Sequence, residues 1–182
     1  MRSAGTMNQT KPQITLEGEP VTLIGNRVQA GQPAPDFIAI GQDLSPVPFS
    51  SFRGKPCVIS SVVSLDTSVC DAQTRRFNQE ATALGDDVEV ITISMDLPFA
   101  QERWCGAQGV DRVTVLSDHR DASFGVGYGV LIKDLRLLAR AIFVVDREGN
   151  TCYKQLVQEI TDEPDYDEAL GAVRRLIESD GD

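Results

Sequence analysis

CVISSVVSLDTSVCDAQTRRFNQEATAL, residues 57–84, is the stretch that decides the fold. Its first eight residues are apolar and β-branched, the composition of a strand buried on both faces. From Thr67 to Leu84 the period changes. Val69, Ala72, Phe77, Ala81 and Leu84 fall near one helical face, and Asp66, Thr67 or Ser68 can cap its start. A buried strand feeding a helix is the repeating unit of a parallel sheet. The same unit places Cys70 in the first turn of the helix, with Thr67 three residues before it.

The alternation continues outward. DVEVITISM (87–95) reads as a second buried strand. Pro98 opens a helix through PFAQERWCGAQG, which Gly106 or Gly109 stops. VTVLSD is a short strand, DASFGVGYGV a weak helix, and RAIFVVDREGNTCYKQLV a strand pair around Arg-Glu-Gly-Asn. Tyr166, Ala169, Leu170, Val173 and Ile177 mark a closing helix. Upstream, QITLEGEPVTLI (13–24) alternates around Gly-Glu-Pro and predicts a small hairpin. A short strand ends in DFIAI, and SPVPFSSFRGKP is expected to be loop. The order predicts an α/β fold with a thioredoxin-like core: a central mixed sheet flanked by helices, with an N-terminal β-hairpin. Residues 14–182 are expected to form one domain after a loose segment, 1–13.

The chain has 182 residues and a formal net charge of −10. Residues 159–182 alone hold nine acids and two bases. That balance argues against a nucleic-acid or anionic-membrane partner, both of which need clustered Lys and Arg. No run approaches the roughly 20 apolar residues of a membrane span. MRSAGTMNQTKPQ lacks the apolar middle of a signal peptide, so the cytoplasm is the expected compartment. Cysteines there stay reduced unless their chemistry is transient. Four are present: Cys57, Cys70, Cys105 and Cys152. With no Cys-x-x-Cys and one histidine, His119, no metal site is expected. Cys57 and Cys152, inside strands, read as structural, Trp104 as a packing residue and His119 as a solvated loop residue.

Cys70 is different. The unpaired N–H groups and dipole of a helix start favour an anion, and a thiol there ionises more readily when cations assist. The bland alternative is a small buried hydrophobe. Asp66 and Asp71 oppose ionisation, so a cation is required. Arg75, Arg76 and Arg140 are the candidates. Arg140 stands at the mouth of an apolar strand, where a charge is costly unless used or paired. Cys70 and Arg76 also have the spacing of cysteine phosphatases and arsenate reductases, whose loop wraps an oxyanion. The intervening DAQTR has no glycine and includes an acid, and Phe77 follows the arginine in place of Ser or Thr. A non-enzymatic alternative is a redox-responsive binding protein on the same frame.

DTSVCDAQTRRFNQEA, SMDLPFAQERWCGAQG, LARAIFVVD and QLVQEITDEPDYDEAL, in that order, resemble the bacterial thiol peroxidases of the Tpx type, atypical two-cysteine peroxiredoxins. The likeness runs from about residue 15 to residue 178. It implies an antioxidant enzyme that reduces hydrogen peroxide and organic hydroperoxides. It makes Cys70 the peroxidatic cysteine, Thr67 the active-site threonine and Arg140 the arginine that holds thiolate and peroxide. Cys105 becomes the resolving cysteine of an intramolecular Cys70–Cys105 disulfide, reopened by a thioredoxin-like reductant. The resemblance also implies a homodimer and no metal, haem or flavin. One position departs from the family's Pro-x3-Thr-x2-Cys pattern: Val63 stands where the proline is usual.

Overall fold

The structure is a computed structural model and describes residues 13–179. The expected loose segment, apart from Gln13, lies outside the described residues. In chain order the strands are β1 (Thr15–Leu16), β2 (Glu19–Pro20), β3 (Leu23–Ile24), β4 (Ile38–Ile40), β5 (Pro46–Pro48), β6 (Cys57–Ser61), β7 (Glu89–Ser94), β8 (Thr114–Ser117), β9 (Leu131–Ile132), β10 (Leu137–Leu138), β11 (Ala141–Val145) and β12 (Thr151–Leu156). The helices are α1 (Ser68–Leu84), α2 (Pro98–Gln108), α3 (Ser123–Gly127) and α4 (Tyr166–Ser179). Seven strands make the central sheet, in the order β12, β11, β6, β7, β8, β4, β5. The β6–β7–β8 ladder is parallel and every outer pairing antiparallel. The fold is therefore the expected mixed sheet flanked by helices.

The middle strands follow from composition. All five residues of β6 and all five of β11 are buried, as central strands covered on both faces demand. Helix α1 ends at Gly85, with φ +79°. Helix α2 begins on Pro98 and ends at Gly109 in the left-handed region, the usual asymmetry of proline at the start and glycine past the end. Phe37, Phe49, Phe124, Tyr128 and Phe143 form a ring cluster that seats α3 against the sheet, with centroids 4.7–6.2 Å apart.

Two local readings need correction, and one hairpin lies in a stretch given no reading from the sequence. The N-terminal hairpin pairs Thr15 with Pro20 and Leu16 with Glu19. Its turn is Glu17–Gly18, φ 52° and 80°, because a two-residue hairpin loop of this hand needs positive φ at both positions. Pro20 is thus in the strand rather than the turn, and β3 pairs with β9 instead. SPVPFSSF is not all loop: β5 pairs with β4, and Phe49–Phe52 form a 3-10 turn. LIKDLRLL hides the β9–β10 hairpin, whose two-residue strands are too short for a period to show.

The small sheet β10–β9–β3 is tied to the turn after α3. Asn26 N–H donates to the Val126 carbonyl at 2.8 Å. Gly129, φ +68°, approaches Asn26 so closely that a Cβ there would lie 2.1 Å from its carbonyl oxygen. Gly129→Ala is expected to cost well over about 1 kcal/mol, from strain and clash together. In a thermal melt this should appear as a Tm drop of at least roughly 2–4 °C. An unchanged Tm would show that this contact can relax freely.

Candidate active site

Thr67 is the N-cap residue of α1, with φ −90° and ψ 145°. Asp71 N–H donates to the Thr67 carbonyl at 2.9 Å, the first backbone bond of the helix. The N–H groups of Ser68, Val69 and Cys70 precede that bond and have no acceptor within the helix. Cys70 therefore lies on an orphan-donor turn, as its position in the sequence predicts. Its side chain is wholly buried.

Arg140 joins β10 to β11 and is 2% exposed. Each of its three nitrogens donates inside the protein. Nε donates to the Ile160 carbonyl at 2.8 Å, one terminal nitrogen to Gln73 Oε1 at 2.6 Å, and the other to Cys70 Sγ at 3.4 Å. Gln73 is fixed in turn by donating to Ser60 Oγ at 2.7 Å. Among the described residues no Asp or Glu forms an ion pair with Arg140. The other two candidate cations are engaged elsewhere. Arg75 pairs with Asp71 at 2.7 Å and Arg76 with Glu80 at 3.0 Å, and Arg76 also lies over the Tyr166 ring. This removes the phosphatase reading: residues 71–76 are regular helix and Arg76 points to other partners.

Thr67 is exposed at the mouth of the site. Its hydroxyl donates to the Ser64 carbonyl at 2.9 Å rather than to the sulfur. Three residues before Cys70, this hydroxyl could have turned to the sulfur; it does not, because Ser64 O sits within reach across the preceding turn. The oxygen of Thr67 keeps its lone pairs free to accept.

Sequence reading missed the group that holds this turn. Asp96, just after β7, accepts from Ser64 Oγ at 2.7 Å, from Leu65 N–H at 2.8 Å and from Ser94 Oγ at 2.8 Å. It thus ties the end of β6 to the end of β7. Ser117 Oγ extends the network to the Asp96 carbonyl and to His119 Nδ1, both in hydrogen-bond contact. His119 is accordingly half-buried and bonded, not a freely solvated loop residue. An aspartate directly after an apolar strand was the available signal. Gln73 carried another: an amide three residues after Cys70, on the buried side of α1.

Cys105 lies on α2, 9% exposed, in a groove of its own. Burial pushes its thiol up from the ordinary value, and a Gln42 amide donating to Sγ at 3.5 Å partly opposes that. All four cysteines are free thiols. The two helices are bridged one residue from each cysteine: the Trp104 indole N–H donates to Asp71 Oδ1 at 3.0 Å. Cys57 is buried, and burial drives its thiol up to about 12. Cys152 is exposed.

A thioredoxin-like sheet with a buried cysteine and arginine facing each other at the start of α1 is the frame of a peroxiredoxin. The Redoxin family matches residues 29–170. The thiol peroxidase of Bacillus subtilis is 53% identical over 165 residues, covering 91% of this chain and 98% of that one. The thiol peroxidase of Halalkalibacterium halodurans is 53% identical over 164 residues, 90% and 98% of the two chains. The crystal structure of a peroxiredoxin-like protein from Aquifex aeolicus superposes with a TM-score of 0.85 at 41% identity, covering 91% and 98%. The chain belongs to the redoxin family, as a peroxiredoxin-type thiol peroxidase. The enzymatic reading thus holds over the redox-responsive binding protein.

Asp96→Asn puts an amide N–H2 among donors that now meet a carboxylate, and leaves at least one unpaired at about 1–3 kcal/mol. With the Ser64–Thr67 turn released, the rate constant for peroxide oxidation is expected to fall roughly tenfold or more. Ser64→Ala, which removes one bond, should lose less. Stopped-flow oxidation of the reduced protein measures both; equal rates for Asp96→Asn and wild type would show that the turn holds itself.

Proposed function

We propose that Cys70 is the peroxidatic sulfur, with Arg140 and Thr67 as its partners and Cys105 as the resolving sulfur. The observation that carries this is the Arg140 guanidinium, buried without a carboxylate partner among the described residues and facing Cys70 Sγ at 3.4 Å. A buried cation costs several kcal/mol unless an opposite charge is close, and the sulfur is the group it faces. In the first step the Cys70 thiolate attacks one peroxide oxygen, the O–O bond breaks, and the alkoxide or hydroxide leaves and takes a proton. Arg140 and the Cys70 N–H stabilise that departing charge. Thr67, whose own proton is directed to Ser64, accepts the peroxide O–H and orients it. Cys70 becomes a sulfenic acid.

In the second step the Cys105 sulfur attacks the sulfenic sulfur, the S–O bond breaks and water leaves. A thioredoxin-like dithiol then reduces the disulfide by exchange. The disulfide and its thioredoxin recycling are the general peroxiredoxin mechanism; the assignment of Cys105 to it is the proposal. Residues 14–182 act as one domain, a reading supported by one hydrophobic cluster reaching from Ile14 to Val173. Leu97 and Phe99 are 53% and 62% exposed next to Asp96, which supports a homodimer closing beside the site. Four free thiols fit a cytoplasmic home, and no helix among the described residues is long and apolar enough to cross a membrane.

Cys70→Ser should abolish peroxide turnover. Cys105→Ser should keep one fast oxidation and lose thioredoxin-linked cycling. Stopped-flow oxidation, a coupled thioredoxin assay and mass-spectrometric mapping of the disulfide test both. Undiminished cycling by Cys105→Ser, with thioredoxin as sole reductant, would overturn its resolving role.

A further inference from the structure

We propose that Gln42 is a positioning residue for the resolving step: its amide N–H holds the Cys105 sulfur in its groove and favours the charged form that attacks. The proposal rests on the reading of Cys105 as resolving cysteine and adds the residue that prepares it. Gln42 follows β4, in a turn that is internally fixed. Gly41 N–H donates to the Ser45 carbonyl and Leu44 N–H to the Gly41 carbonyl, each at 2.9 Å, and Asp43 Oδ1 accepts from both the N–H and hydroxyl of Ser45. The amide therefore arrives on a built scaffold. It reaches across a groove of 540 Å³, walled by Val47, Val110 and Val113, to meet Sγ at 3.5 Å.

The chemistry of the step explains the need. Cys105 gives its proton to solvent, and its sulfur forms the S–S bond as hydroxide leaves Cys70 and is protonated to water. Only the thiolate is nucleophilic, and burial of the sulfur disfavours it. The cation facing Cys70 is already committed to that sulfur, Gln73 and Ile160. Beside a backbone hydrogen bond at Cys105 itself, the Gln42 amide is the side-chain aid, and a donated N–H bond is stronger to an anion than to a neutral sulfur.

Charged groups elsewhere around Cys105 work against an anion or are balanced. Asp43 and Asp111 line the same groove. Glu102 and Arg103 stand on α2 itself, and Arg112 beyond it is paired with Asp86. Asp71, behind Trp104, is bonded to Arg75 and to the indole. Strand β8, which packs on α2, has no titratable residue. All of these groups are unchanged in Gln42 variants, so a difference between variants reports the amide.

The test follows disulfide formation in the intact reduced protein, mixed with one equivalent of hydrogen peroxide from pH 6 to 11, a range that reaches past the ordinary thiol value because burial raises Cys105. The second phase of fluorescence from Trp104, the one tryptophan of the chain, reads the step. In Gln42→Leu the midpoint of that phase should rise by about one pH unit, the equivalent of one lost hydrogen bond. Its thiolate is scarcer at neutral pH, yet a sulfur of higher pKa is the better nucleophile, by roughly threefold per pH unit. The variant should therefore run roughly threefold slower near pH 7 and overtake wild type above the midpoint. Gln42→Glu, which brings a negative charge to the sulfur, should move the midpoint further up. The first, Cys70 oxidation phase should not change. A purely structural role would scale the second phase equally at every pH. Such uniform scaling, or an unmoved midpoint in both variants, overturns the proposal while a Cys105→Ser protein that loses the phase upholds the resolving assignment. Persistence of the phase in Cys105→Ser overturns both.

Discussion

Much of the active end depends on one buried cation. Arg140 sits at 2% exposure, and no carboxylate pairs with it among the described residues. Desolvating a guanidinium costs several kcal/mol, against about 1.5–3 kcal/mol for each hydrogen bond to a charged group. The carbonyl of Ile160 and the amide of Gln73 offset part of that cost and also aim the head group. The remaining direction points at Cys70. This constraint reaches across the fold. Ile160 lies in the segment after β12, Gln73 in α1, and Ser60, which anchors Gln73, in β6. The sheet order brings β11 beside β6, so those three segments converge on one side chain without any long loop.

The second half of the site is organised differently. Among the described residues no cation bonds Cys105, which takes a neutral amide, in a groove that opens to solvent, at the β4–β5 edge of the sheet. One sulfur is thus charge-supported and fully buried, the other weakly supported and 9% exposed. Only the Trp104–Asp71 bond spans from the residue after Cys70 to the residue before Cys105. A disulfide requires sulfurs about 2.05 Å apart. The oxidised form must therefore give up the present contacts of at least one sulfur, and the Cys105 side has less to lose: one amide contact against a guanidinium, a full helix turn and full burial. Helix α2 is also the shorter of the two and carries Gly106 directly after the cysteine.

How much of this could be read from the sequence follows from the range of each interaction. The β6–α1 unit was legible because burial and period are local: apolar β-branched residues, then a 3.6-residue stripe, then Gly85. Cys70 at the helix start and Arg140 at the mouth of β11 were legible for the same reason. Residues acting across strands were not. Asp96 reads locally as a polar residue after a strand, and only the neighbouring positions of β6 and β7 give its carboxylate Ser64 and Leu65 to hold. Gln42 and Cys105 are 63 positions apart, and nothing local marks either for the other. Two-residue strands such as β9 and β10 lack a period altogether, and the Glu17–Gly18 turn was hidden because glutamate is an uncommon residue at positive φ.

Position 63 brings these points together. Proline there would fix φ and lower the conformational freedom of the unfolded turn. Valine does neither. Yet Val63 is buried at 8% exposure and the peptide is trans, like every described bond. What shapes the following residues comes from the neighbouring strand: Asp96 holds Ser64 Oγ and Leu65 N–H, and the Ser64 carbonyl then takes both the N–H and the hydroxyl of Thr67. A restraint built into the chain has its counterpart here in one that exists only when β6 and β7 are paired. The turn before Cys70 is therefore ordered by tertiary structure together with its own Ser64–Thr67 bonds. Its order should follow the integrity of the β6–β7 ladder, and a single carboxylate on β7's side of that ladder sets the approach to the sulfur.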